Sequence, residues 1–134
     1  MCDQRPARQS GSIKIIADER HGANNEEANF KLSGAFSSTD GFNFFLVHKF
    51  MGPGQYKPVY KSEITSCLGG RFSWNLVSIL TSELANEDPE REIRVEFFKS
   101  QKSGKHINLG YISCNIAQLR EGQIEFQLMG KGKN

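Results

Sequence analysis

The residue types that do covalent chemistry are scattered in this sequence. His21, His48 and His106 fall in three separate stretches, and Cys2, Cys67 and Cys114 lie far apart and are odd in number. That spacing offers neither a CxxC-type metal site nor a disulfide framework, so the cysteines read as reduced thiols and no metal or cofactor is expected. No Ser or Cys sits in a nucleophile elbow, and no glycine-rich phosphate loop precedes a helix, so an enzyme is not expected. Two other clusters stand out. The stretch Lys99-Ser100-Gln101-Lys102-Ser103-Gly104-Lys105-His106 holds three lysines and no acid. Near an anionic leaflet each lysine contributes about 1 kcal/mol, within a Debye length of roughly 8 Å. The alternative is a merely solvated loop. The stretch Phe42-Asn43-Phe44-Phe45 is aromatic; Phe42 is the residue suited to a loop tip, whereas Phe45 and one neighbour belong to a strand face.

The elements that must position these clusters read as strands. Apolar runs of about six to nine residues, rich in Phe, Ile, Val and Tyr, alternate with Gly, Asn, Ser and Asp clusters. Strands are expected at 12–17, 29–36, 43–50, 56–64, 72–79, 92–98, 109–115 and 123–128. Met51-Gly52-Pro53-Gly54-Gln55 closes a hairpin between the third and fourth. Ile93, Val95 and Phe97 alternate with Arg94, Glu96 and Phe98, as a half-buried strand requires. Trp74 alternates with Phe72 and Leu76 and reads as core. Residues 77–84 read as strand then turn, with a helix as the alternative, and 116–120 as one helical turn ended at Gly122. Residues 1–11 and 130–134 read as flexible ends around one domain at 12–129.

With 134 residues, 37% hydrophobic and 24% charged, the chain is long enough to enclose one core and is not a disordered sequence. A net charge of +2 is too small to imply nucleic acid, and no nucleic-acid partner is expected. The first thirty residues lack a signal-peptide run and no stretch reaches membrane-span length, so a cytoplasmic domain, at most peripheral to a membrane, is expected.

The order of features from Asn43 onward is specific. Phe44-Phe45-Leu46-Val47, a hairpin, Tyr60-Lys61-Ser62-Glu63-Ile64, Leu68 through Trp74, Ile93-Arg94-Val95-Glu96-Phe97-Phe98, a polar loop and Leu109-Gly110 together resemble a C2 domain. The Tyr-Lys-Ser-Glu-Ile strand is most similar to the copine form. Gly11-Ser12-Ile13-Lys14-Ile15-Ile16-Ala17-Asp18-Glu19 and Leu119-Arg120-Glu121-Gly122-Gln123-Ile124-Glu125-Phe126 resemble segments bordering the second of the tandem C2 domains of copines. The resemblance implies an all-β, eight-stranded antiparallel Greek-key β-sandwich. Gly69-Gly70 stands where that family has Asn-Pro and reads as a turn.

In calcium-binding members, carboxylates at five loop positions supply the oxygen ligands that a hard cation needs. The resemblance puts these positions at Ser37, Asn43, Lys99, Gln101 and Ile107. None is acidic, and Lys99 sets a cation where the ion would sit; like charges about 4 Å apart repel by on the order of 1 kcal/mol even in water. No calcium is expected. Asp40, three residues off register, reads as a turn residue. Lipid-binding members also carry a basic cluster over the third and fourth strands, whose four positions fall on Val47, Lys49, Lys61 and Glu63. Lys49 and Lys61 are therefore the expected secondary patch, with Lys57 nearby, while alternation sets His48 on the face opposite Lys49. The resulting expectation is calcium-independent contact with an acidic phospholipid surface through Lys99, Lys102, Lys105 and Phe42. The alternative is a protein-interaction or spacer domain of a tandem C2 protein, with a protein partner instead of lipid.

Overall fold

Period-two alternation of apolar residues builds two sheets whose inner faces meet. The computed structural model describes residues 11–17, 27–36, 41–66, 71–86 and 88–130. One sheet is formed by β1 (Gly11–Ala17), β2 (Glu27–Phe36), β6 (Phe72–Ser73), β7 (Val77–Leu80) and β10 (Gln123–Gln127), in the order β10-β1-β2 with both β6 and β7 on the far side of β2. The other is formed by β3 (Phe42–Gly52), β4 (Gln55–Lys61), β5 (Thr65–Ser66), β8 (Ile93–Ser100) and β9 (Ile107–Cys114), ordered β4-β3-β8-β9 with β5 also against β3. All pairings are antiparallel. β10 returns to lie beside β1 and β8 beside β3, the long-range returns of a Greek-key sandwich.

Each of the eight expected strands has its counterpart, but one is cut short and one is split. The fourth, expected to reach Ile64, stops at Lys61 because Ser62 turns inward, and the short β5 follows beyond its expected end. The Ser62 hydroxyl accepts from the Phe45 N–H at 2.9 Å and donates to the Glu63 carbonyl, while its own N–H donates to the Phe45 carbonyl. The fifth breaks at Trp74–Leu76. Trp74 is buried, but Leu76 is exposed rather than core, since the strand alternation does not continue through the break. There the Asn75 N–H donates to a Glu63 carboxylate oxygen at 2.6 Å. Residues 77–84 resolve as β7 followed by α1 (Thr81–Ala85), a short helix where a turn was expected, ended at Asn86 in a left-handed conformation (φ 52). The second expected turn is α2 (Ile116–Leu119), closed at its start by a reciprocal Asn115–Gln118 capping box. β1 is laddered to β2 and β10 of its own domain, and begins at Gly11, one residue into the expected lead-in. Residues 1–10 and 131–134 lie outside the described residues.

The core takes Ile13, Ile15, Phe30, Leu32, Phe36, Phe72, Val77 and Ile79 from the first sheet. The second contributes Phe45, Val47, Ile93, Val95, Phe97, Leu109, Ile112 and Cys114, with Trp74 between. Burial pushes the Cys114 thiol up to about 12, so it is an inert packing group. Gly110 (φ 128) sits at an irregularity in the β8–β9 ladder, where a β-carbon would stand 2.6 Å from the Met129 carbonyl oxygen. The Leu-Gly pair singled out in the sequence thus has a steric cause.

Candidate functional site

The last residues of β2 and β5 and the loop after β8 lie at one end of the sandwich. The β3–β8–β9 ladder aligns Asn43, Lys99 and Ile107 in one row, with Phe42 opposite both Ser66 and Ser100. Phe42 is 55% exposed and Ile107 44% exposed, and Lys102 and Lys105 are exposed on the loop between β8 and β9. Lys99 is partly buried, and its side chain passes close to Gly41. Arg71, which follows the loop after β5, is exposed at the same end because its neighbour Phe72 pairs with Gly34 near the close of β2. Ile64, 51% exposed, flanks the strand that pairs with Asn43. Exposed apolar side chains and basic residues thus share one end of the sandwich.

The basic loop has a defined base. The Gln101 N–H donates to His106 Nδ1 at 3.1 Å, the Gly104 N–H to the Gln101 carbonyl at 3.0 Å, and the Lys105 N–H to Ser103 Oγ at 3.2 Å. Gly104 adopts φ 87, a conformation that favours glycine. The His106 ring meets Phe44 edge-on at 5.0 Å, and Phe44 in turn stacks on Phe98 at 5.3 Å. Phe44 is therefore buried by aromatic packing on the outer face, while Phe45 enters the core.

Of the five positions that the C2 resemblance assigns to calcium ligands, Ser37 lies outside the described residues, as does Asp40. Asn43 is 1% exposed, and neither atom of its amide has a hydrogen-bond partner. It shares the core-side row with Phe45 and Val47, so its side chain is sealed within the sandwich. A buried unpaired polar group costs about 1–3 kcal/mol. Asn43→Val should therefore raise unfolding free energy by about 1 kcal/mol in urea titration; an unchanged or lower value would contradict the assignment of a wasted amide. Among the described residues, no three His, Cys, Asp or Glu side chains group closely enough to hold a metal ion.

The expected secondary patch does not assemble on one face. Lys49 pairs with Lys57 and with Ile93, so it lies on the core-side face at the sheet rim, beside Val59 and Glu83 of α1. Lys61 lies on the outer face, its ammonium 5.0 Å from the Phe44 ring centroid. The register shift between Val47 and His48 in the β3–β4 ladder changes the parity that relates them. Val47 is core, and Glu63 is committed to the Asn75 N–H.

His48 is on the outer face and buried, with Nε2 2.9 Å from Glu96 Oε1. Contact with His48, and secondarily the Asn108 amide, holds the Glu96 carboxyl below its usual value against the opposing effect of burial. Its contribution to stability is complete above the ordinary value of 4.5 and is lost as pH falls through the depressed one. Glu96→Gln should consequently lower the thermal midpoint at about pH 6 more than at about pH 3; an equal loss at both would contradict the charged contact.

No protein-family model matches the sequence, and no curated protein matches it. Solved structures do resemble the fold. One is BON1-C2B, with a TM-score of 0.52 and 16% identity over 81% of this chain; the chain spans 65% of that structure's length. Another is the RIM C2A domain from Drosophila, with a TM-score of 0.58 and 13% identity over 92% of this chain and 100% of that one. Both are C2 domains, and the fold of this chain is that of a C2 domain: an all-β, antiparallel sandwich. At these identities the likeness establishes the fold alone. No helix among the described residues is long and apolar enough to cross a membrane.

Proposed function

We propose that this chain is a copine-like C2 module that contacts acidic phospholipid surfaces without calcium, at the periphery of a membrane facing the cytoplasm. The observation that carries this reading is the loop end itself. Lys99, Lys102 and Lys105 lie at the end of β8 and on the loop after it, at the same end of the sandwich as the exposed Phe42, and the residues at the described ligand positions, Asn43, Lys99, Gln101 and Ile107, bring no carboxylate. Fixed cations then take the part that a bound divalent ion takes where acidic ligands are present, drawing the loop end to anionic headgroups. Phe42 and Ile107 enter the interfacial layer behind them. Each apolar side chain so buried adds about 1.5–3 kcal/mol at full burial. Lys61 supports this end through its place over Phe44, whereas Lys49 serves as a lipid contact only if the rim near Glu83 also touches the surface. The role is binding rather than catalysis.

Co-sedimentation with vesicles tests the reading. Binding to phosphatidylserine vesicles that weakens steeply as salt rises, with none to phosphatidylcholine alone, is the expected result. Absence of binding to acidic vesicles at low salt would overturn it.

A further inference from the structure

The outer face of the sheet β4-β3-β8-β9 holds an arginine that nothing in the described chain pairs. The Arg94 guanidinium lies over the Tyr111 ring at 3.8 Å and over the Tyr56 ring at 4.5 Å from the centroids. Ring faces accept none of its in-plane N–H groups, and its Nε is buried with no acceptor. The nearby acids are engaged elsewhere. Glu92 accepts from the Tyr56 hydroxyl at 3.0 and 3.1 Å and from the Ser113 hydroxyl at 2.8 Å. Glu96 contacts His48 and accepts from the Asn108 amide at 3.2 Å; Arg94 acts on it only through its field.

Packing against two aromatic rings fixes the guanidinium, and a fixed guanidinium fork matches a carboxylate bidentately. Half-buried Tyr and Arg side chains are also the composition of protein-interface anchors. We propose that this outer face, centred on Arg94, docks an acidic segment of a protein partner, with an Asp or Glu carboxylate seated on the Arg94 fork and the partner's chain lying across Tyr56 and Tyr111. The site is independent of the lysine loop: Arg94 and Lys99 project to opposite faces and lie five residues apart along β8, about 17 Å at strand rise.

The probe is a fluorescein-labelled peptide of Glu and Gly residues, titrated by polarisation at physiological salt. Saturable binding is expected, weakened about tenfold or more by Arg94→Gln. Arg94→Lys, which keeps the charge and loses the fork, should also bind more weakly than the wild type. Replacing Lys99, Lys102 and Lys105 by glutamine should change peptide binding by no more than about threefold, since exposed charges beyond a Debye length are largely screened. Thermal midpoints of both Arg94 variants establish folding, and if Arg94→Gln does not fold, Arg94→Lys decides. No saturable binding, equal binding by a folded Arg94 variant, or a dependence on Arg94 seen with phosphoinositide vesicles but not with the peptide would overturn the proposal.

Discussion

Replacing Lys99, Lys102 and Lys105 together by glutamate is expected to lower affinity for phosphatidylserine vesicles by about a hundredfold or more. Removing three cations forfeits about 3 kcal/mol of attraction, and reversing them adds repulsion of similar size, so the figure is a lower bound. The base of the loop should survive the change. Its hydrogen bonds run through the Gln101, Gly104 and Lys105 backbone amides, His106 and Ser103, none of which uses a lysine side chain. Lys99 is partly buried and packs against Gly41, so its replacement lowers the thermal midpoint more than replacement of the exposed Lys102 and Lys105, and the midpoint of the triple variant is measured alongside to establish that it is folded. A salt dependence that disappears together with the affinity identifies charge as the cause. If the variant pelleted with acidic vesicles as well as the wild type does, the lysine loop would have no part in lipid contact.

Phe97→Ala is expected to destabilise the chain by about 3–5 kcal/mol, a large share of the 5–15 kcal/mol that holds a domain of this size. Phe97 is fully buried where the sheets meet, with ring centroids 5.8 Å from each of Phe36, Phe45 and Trp74. Those partners come from β2, β3 and the break after β6, so the cavity would border both layers and collapse poorly. Urea unfolding monitored by Trp74 fluorescence reports the change. A loss below about 1 kcal/mol would contradict a single core shared by the two sheets.

Alternation within a strand was legible in the sequence. Ile93, Val95 and Phe97 face inward as their spacing required, and the parity of Phe45, Val47 and Lys49 already carried Lys49 toward the core-side face. What parity within one strand could not supply was the relation between strands. The register shift beside His48 lies in a pairing, and it separates Lys61 from Lys49. The inward turn of Ser62 and the capture of the Asn75 amide by Glu63 likewise depend on residues distant in the chain, which is why the fourth strand stops early and the fifth divides where one apolar run continued. Within the Tyr-Lys-Ser-Glu-Ile run that resembles a C2 domain, Ser62 and Glu63 make these structural contacts.

At the loop end, the lysines and Phe42 were visible as a local cluster. In the sequence Ile107 reads only as a lost ligand position, and nothing local brings Ile64 or Arg71 to the end that Phe42 occupies; the strand pairings of the two sheets do. The grouping of Arg94 with Tyr56 and Tyr111 is of the same kind. Three strands separated in sequence converge there, and no single-strand pattern records it. Asn43 is the reverse case: its position suggested a loop ligand, and its burial shows a polar side chain spent inside the sandwich.

The most direct measurement is a titration of the chain with phosphatidylserine vesicles carried out in parallel with calcium and with a calcium chelator. The account predicts the same saturable affinity in both and the same loss on raising salt. Binding that appears only with calcium, or strengthens severalfold in its presence, would contradict it.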